Sequence, residues 1–136
     1  MKFNYNFRYV CKGTTLVIDI EPNTLITGNI DLIDSWLRDD VMSDFDEVRT
    51  HIDAVINGEK ECYERGGNAN FAEIHQDTST ISCFFDELDY EPCTLPTQML
   101  REILDIWEAE YNKFYGKNKE TEMPKKKKGI FGIFNK

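Results

Sequence analysis

The sequence predicts an α+β domain in two layers, with an antiparallel sheet of about five strands packed against two to three helices. Three observations support this prediction. Short runs of alternating apolar and polar residues occur at the N-terminus and again in the middle of the chain. Two segments with helical spacing separate these runs, and a longer helical segment follows them. Short turns join the predicted strands, so consecutive strands should pair antiparallel.

The first two strands are predicted from their periodicity and composition. Aromatic residues occupy every second position from Phe3 to Tyr9, which indicates a strand with one apolar face. The segment 14–20 is rich in β-branched residues and predicts a second strand. Lys12 and Gly13 lie between the two segments and supply a turn. The two strands should therefore form a hairpin.

Two helices are predicted after the hairpin. Apolar residues between 30 and 37 fall on one helical face, and Asn29 precedes them as a potential N-cap. A second helix should cover about 44–57, where apolar residues recur at spacings of three and four. Ser43 is its predicted N-cap and Gly58 its predicted C-terminal stop.

Strand patterns return between residues 59 and 95. A last amphipathic helix should begin near Pro96 and end at Gly116. One globular domain would then cover residues 1–116, followed by a flexible basic and hydrophobic tail at 117–136. The predicted strand segments are KECYER (60–65), NANFAEIHQ (68–76), STISCFFDE (79–87) and, as a short strand or the lead into the last helix, CTL (93–95).

The charge of the chain is acidic and unevenly distributed. The 136 residues include 16 Lys and Arg against 25 Asp and Glu, a net charge of −9. The predicted tail is nevertheless basic, so the body is more negative than the whole chain. An acidic body repels nucleic acid and attracts basic protein surfaces. We therefore expect a protein partner and no nucleic acid, although acidity also promotes solubility.

Two acidic clusters are the candidate partner-binding residues. The first surrounds the turn between the two predicted helices, where acids also favour a helix N-terminus. The second combines carboxylates with an aromatic ring, which suits contact with a basic partner. Either cluster could instead be a solvated surface. The candidates are Asp39, Asp40, Asp44, Asp46 and Glu47 in the first cluster, and Asp86, Glu87, Asp89, Tyr90 and Glu91 in the second.

No residue pattern predicts catalysis, a metal or a cofactor. No spacing of His, Cys, Asp and Glu matches a metal site. Glu47 and His51 are four residues apart and could pair on one helical face. A small enzyme that uses Cys or carboxylates is the less favoured alternative. No signal peptide is recognised, so we expect a cytoplasmic protein with reduced and mostly buried cysteines, which are Cys11, Cys62, Cys83 and Cys93.

The predicted tail supports a different hypothesis about function. In PKKKKGIFGIF (124–134) four lysines precede a short apolar segment. Cations and aromatic rings in this order can bind an anionic membrane surface. The protein would then be a peripheral membrane or adaptor protein. The possible membrane contacts are Lys125, Lys126, Lys127, Lys128, Phe131 and Phe134.

The middle of the chain and the last helix resemble a known group. VINGEKECYERGGNANFAEIHQDTSTI (55–81) is followed by a Cys-Thr step and by LREILDIWEAEYNKF (100–114). These segments resemble small bacterial immunity proteins of contact-dependent-inhibition and other polymorphic toxin systems. The resemblance covers residues 45–115. The matching features are Gly58-Glu59 at the end of a helix, Gly67-Asn68 in a turn, Thr78 and Thr80-Ile81 in a Thr-rich strand, and Ile103, Trp107 and Phe114 in the last helix.

The resemblance implies a protein that acts by binding and has no catalytic residues. Many toxins of this kind are nucleases, whose substrate-binding surfaces must be basic to hold phosphates. An acidic partner can cover such a surface through complementary charge and shape. We therefore expect an immunity protein that occludes a cognate basic toxin domain. The oligomeric state is left open.

Overall fold

The structure, a computed structural model, describes residues 2–85 and 91–126, with side chains described up to residue 116. The chain divides into two compact units, Met1–Asp105 and Ile106–Lys136. Within the described residues, the first unit contains six strands in two antiparallel sheets, two helices and the start of a third helix. The remainder of the third helix lies in the second unit. The predicted α+β class is confirmed.

The first sheet is the predicted N-terminal hairpin. Strands β1 (Tyr5–Val10) and β2 (Thr15–Ile20) pair antiparallel, with Phe7 opposite Ile18. The turn between them includes Gly13, whose positive φ of 82° explains the glycine at this position. The apolar residues of β2 are buried, whereas β1 is largely exposed.

The second sheet has four strands in sequence order. They are β3 (Cys62–Gly66), β4 (Asn70–His75), β5 (Thr78–Cys83) and β6 (Cys93–Pro96), and each pairs antiparallel with the next. The segment that the sequence left open between a strand and a lead into the helix is therefore the strand β6. An isolated bridge between Thr27 and Thr94 joins the loop after the hairpin to β6.

Two helices connect the sheets and cover the second one. Helix α1 (Asp31–Trp36) continues into a single π-helical turn (Leu37–Val41), and α2 (Phe45–Ile56) follows. Helix α1 contacts β2, β4 and β5, and α2 contacts β3 and β4. The apolar core lies between these helices and the strands. Its fully buried side chains include Leu16, Ile33, Trp36, Leu37, Ile52, Ile74, Ile81 and Leu95.

The predicted helix ends are partly correct. Gly58 ends α2 with a φ of +82°, as expected for a helical C-terminal stop. The predicted cap Ser43 is wrong, because α2 starts only at Phe45 and the residue before it makes no side-chain cap. The chain turns sharply at Met42, whose φ is +55°, and this displaces the helix start.

Helix α3 is longer than the sequence predicts. It spans Thr97–Lys126, so its start agrees with the prediction but the predicted stop at Gly116 is wrong. A glycine inside a helix costs only about 1 kcal/mol relative to alanine, and the surrounding residues can offset this. Among the described helices, none combines the length and the apolar character needed to cross a membrane.

Candidate partner-binding surface

Several predicted contacts lie outside the described part of the chain. In the second acidic cluster these are Asp86, Glu87, Asp89 and Tyr90; only Glu91 is described, and it is exposed. In the tail they are Lys127, Lys128, Phe131 and Phe134, and the side chains of Lys125 and Lys126 are not described either. Partner contact through the second cluster and membrane contact through the tail therefore stay predictions.

Asp40, from the first cluster, points into the protein. Its side chain is buried, at 5% exposure. Its Oδ1 accepts a hydrogen bond from the backbone N–H of Ala69 at 2.9 Å, and its Oδ2 accepts one from Asn70 Nδ2 at 2.8 Å. These bonds connect the π-helical turn to the end of the loop between β3 and β4 and to the first residue of β4. Asp40 thus has a structural role and is inaccessible to a partner in this arrangement.

The burial of Asp40 has a signal in the sequence. The residue lies three positions after Leu37 and four after Trp36, and both of these side chains are fully buried. Residues at such spacings share one helical face. The apolar stripe of this helix therefore includes the aspartate, which the sequence analysis grouped by charge alone.

Arg65 on β3 holds two other members of the first cluster. Its guanidinium donates to Asp44 Oδ2 at 3.0 Å and to Glu47 Oε2 at 3.2 Å. It also donates to the Tyr63 hydroxyl at 3.3 Å. Burial opposes the positive charge, but the hydrogen bonds to Tyr63 and Asp44 raise the pKa of Arg65 overall. The arginine is therefore a charged anchor for both acids.

Two further arginines hold the remaining acids of this surface. Arg49 Nη1 donates to Asp46 Oδ1 at 2.8 Å, and its Nε donates to Asp105 Oδ1 at 3.2 Å. Arg101 Nε donates to Asp53 Oδ1 at 2.7 Å, and its Nη1 lies 2.6 Å from Asp105 Oδ2. The hydrogen bond to Asp53 raises the pKa of Arg101, against the opposing effect of burial.

The arginines lie beneath their acidic partners. The side chains of Arg49, Arg65 and Arg101 are 17–22% exposed, whereas those of the acids are 45–96% exposed. The outermost groups of this surface are therefore carboxylates with restricted positions. We name this surface the carboxylate layer; its members are Asp44, Asp46, Glu47, Asp53 and Asp105.

The carboxylate layer is suited to contact with a basic surface. It has five carboxylates above three guanidinium groups, so its charge is negative. Carboxylate oxygens accept strong hydrogen bonds from Lys and Arg. Because the arginines already hold the acids, a partner would order few additional side chains on binding. The sequence analysis missed Asp53, Asp105 and the arginines, since their proximity depends on the packing of α3 and β3 against α2.

The two histidines, which were considered as possible catalytic groups, contact residues other than Glu47. His51 does not pair with Glu47; its Nδ1 lies 2.8 Å from Lys60 Nζ, and its ring stacks on Tyr63 at 4.4 Å between centroids. His75 Nε2 lies 2.9 Å from Glu73 Oε2. Among the residues that the structure describes, no group of three His, Cys, Asp or Glu side chains could hold a metal ion.

The cysteines are free thiols, and the expectation that most are buried is wrong. Only Cys93 is buried, and burial raises the pKa of its thiol to about 11. Cys11 is exposed in the hairpin turn, and Cys62 and Cys83 are half-buried. Cys62 is the first residue of the edge strand β3 and Cys83 is the last residue of β5, so both thiols lie at strand ends.

The structure is that of a small α+β protein whose carboxylate layer forms an acidic part of its surface. No family model matches the chain, and no solved structure matches it. A curated protein of Bacillus cereus (strain ATCC 14579) named "Immunity protein" is 27% identical over 127 residues, which is 90% of this chain and 100% of that protein. This similarity supports an immunity protein, and the relative's name is not that of an enzyme.

Proposed function

We propose that the protein is an immunity protein that binds a cognate toxin domain through the carboxylate layer and blocks its active surface. The observation that carries this proposal is the similarity to an immunity protein over most of the chain. The carboxylate layer supplies the chemistry of the contact, because it presents ordered acceptors for lysine and arginine. The protein would act by binding in the cytoplasm, without catalysis.

The proposed toxin is a nuclease. A nuclease must present basic groups to hold phosphates, so its active surface attracts an acidic protein. Charge of opposite sign accelerates encounter between two proteins and fixes their relative orientation. Once bound, the body of the immunity protein would exclude the nucleic acid from the active surface. The predicted cluster at residues 86–91 would add acidic contacts to the same partner.

A binding experiment with the toxin domain encoded beside this protein tests the proposal. We expect a stable complex whose association rate falls as salt is added, because screening weakens long-range attraction. The double variant Asp46→Asn with Glu47→Gln should associate about tenfold more slowly at low salt. A protein that forms no complex, or a rate that is insensitive to salt, would contradict the proposal.

A charge-matched control separates the carboxylate layer from the total charge. Glu64 and Asp77 are exposed, and neither belongs to the layer. Glu64 alternates with Arg65 along β3 and so points to the opposite face of the sheet. The variant Glu64→Gln with Asp77→Asn removes the same charge as the test variant. Its association rate should remain close to that of the wild type.

A further inference from the structure

The first unit also contains a cavity that the residues of the carboxylate layer do not line. A groove of about 600 Å³ lies between the hairpin and the helical segment 31–39. Ala69 just before β4, Cys83 at the end of β5 and Phe85 after β5 complete its lining. The groove lies within Met1–Asp105 and combines charged groups with apolar ones.

The regular structure explains why these residues face the groove. The helical segment contributes residues at spacings of three and four, which form one continuous face. On the hairpin, Arg8 lies directly opposite Val17, and the neighbouring positions Val10 and Asp19 share the same face. The polar contributors from the helical segment are Asp31, Asp34, Ser35, Arg38 and Asp39.

Both arginines of the groove are already paired with acids. Arg8 forms an ion pair with Asp19, in which Nη2 donates to Oδ1 at 3.0 Å. Arg38 Nε donates to Asp34 Oδ2 at 2.9 Å. The other oxygen of Asp34 accepts the backbone N–H of Ile18 at 3.0 Å. Arg8 and Arg38 are therefore already engaged by Asp19 and Asp34.

The other two aspartates of the groove form no close ion pair with a cation among the described residues. Asp31 is exposed, and its carboxylate interacts with the charge of Arg8 without a hydrogen bond to a side chain in that part of the chain. Asp39 Oδ2 accepts only the Ser35 hydroxyl, at 3.3 Å. Four aspartates thus face two arginines, and the uncompensated negative charge lies along one helical face.

The apolar part of the lining indicates which kind of cation the groove could bind. Val10 is half-buried, Leu32 is buried, and the Phe85 ring is 45% exposed at the edge of the groove. Long basic side chains pack their methylene stems on apolar surface and keep the charge at a polar group. A guanidinium also binds aromatic faces and carboxylates better than an ammonium does, because it is planar and weakly hydrated.

We propose that the groove receives an arginine side chain of the toxin, with its guanidinium at Asp31 and Asp39 and its stem against Phe85 and Val10. The identity of the partner rests on the proposed function, whereas the preference for arginine rests on the groove itself. The groove is then a specificity contact: it selects a partner with a protruding arginine, while the carboxylate layer attracts basic surfaces in general.

A small probe tests the groove without the toxin. The full chain, labelled with ¹⁵N, is titrated with N-acetylarginine methylamide while amide chemical shifts are recorded. We expect saturable shifts at Ile18 and Ala69, which line the groove, and none with N-acetylcitrulline methylamide, which has similar length but no charge. Absence of shifts with the arginine probe, or equal shifts with the citrulline probe, would overturn the proposal.

Two double variants test whether the arginine probe binds in the groove. Asp31→Asn with Asp39→Asn removes the unpaired carboxylates and should abolish the shifts with the arginine probe. Glu64→Gln with Asp77→Asn removes equal charge elsewhere and should preserve them. If both pairs reduce the shifts equally, the probe responds to total charge and the groove is not its site. Amide spectra of each variant also report whether it is folded.

The same variants separate this proposal from the proposed function. If the wild type forms no complex with the toxin domain, the proposed function fails, while the probe titration still decides whether the groove binds arginine. If the wild type binds the toxin, the Asp31→Asn and Asp39→Asn variant should bind about tenfold more weakly. Unchanged affinity of that variant would refute the role of the groove in the complex.

Discussion

A Cβ atom added at Gly67 would lie 2.6 Å from the Cβ of Asp40. Carbon atoms that are not bonded do not approach this closely, so the position excludes every side chain. The close approach brings the loop between β3 and β4 against the π-helical turn. Asp40 can then accept hydrogen bonds from the backbone N–H of Ala69 in that loop and from the side-chain amide of Asn70, the first residue of β4.

Gly67→Ala should therefore destabilise the protein. The added methyl group would displace the loop or Asp40, and overpacking of this kind costs about 1–3 kcal/mol. Urea unfolding followed by circular dichroism would measure the loss. Gly116→Ala is the matched control, because its new Cβ meets nothing within 4 Å and lies in a helix. We expect the control to be unchanged or about 0.5–1 kcal/mol more stable.

Asp40→Ala should be more destabilising than removal of an exposed acid. The change removes the acceptor of the Ala69 N–H and one of the two acceptors of the Asn70 amide, which also donates to Ser35 Oγ. An unsatisfied buried donor costs about 1–3 kcal/mol. The free energy of unfolding can be compared with that of Asp77→Ala, which removes an exposed carboxylate. Equal stability of the two variants would show that the inward contacts of Asp40 contribute little.

Arg65→Lys should loosen the carboxylate layer while it preserves the charge. A single ammonium cannot reproduce the fork that bonds Asp44 and Glu47 together. Because both acids are more than half exposed, we expect only about 1 kcal/mol of lost stability. Association with the toxin domain should also weaken, because the two acids would have to be ordered on binding.

The control for this substitution is Arg8→Lys. Arg8 forms its ion pair with Asp19 outside the carboxylate layer, and both side chains are largely exposed. We expect its free energy of unfolding to match that of the wild type; because Arg8 also lines the groove, this variant is a control for stability only. If Arg65→Lys behaves in the same way, the buried guanidinium does not organise the layer.

Thiol labelling should separate the four cysteines by rate. Cys11 is exposed and should react first with iodoacetamide at neutral pH. Cys93 should react only on unfolding, because it is inaccessible and its raised pKa leaves almost no thiolate. Peptide mapping by mass spectrometry would assign the rates, and fast labelling of Cys93 would contradict its burial.

Local sequence patterns predicted most of the regular structure. The alternation from Phe3 to Tyr9 and the turn at Gly13 are sufficient for the first hairpin, because both signals lie within a few residues. Gly58 likewise marks the end of α2 through its own backbone conformation. The end of α3 could not be predicted from the sequence, because a glycine such as Gly116 lowers the stability of a helix without necessarily ending it.

The binding residues were less predictable than the strands and helices. Charge alone grouped Asp40 with Asp44, although one is buried and the other belongs to the carboxylate layer. The contact of Asp44 with Arg65 joins residues 21 positions apart, and no local periodicity encodes it. Tertiary packing decides which acids are anchored, which are exposed and which face the groove.

The order of the strands has a consequence for how quickly the protein can form. Every strand pairing within the two sheets joins strands that are consecutive in the chain, so the contacts within each sheet are local. Such local connectivity reduces the entropy lost before the first stabilising contacts, and domains of this kind fold rapidly. For a protein proposed to neutralise a toxin, rapid folding would shorten the time after synthesis during which the cell is unprotected.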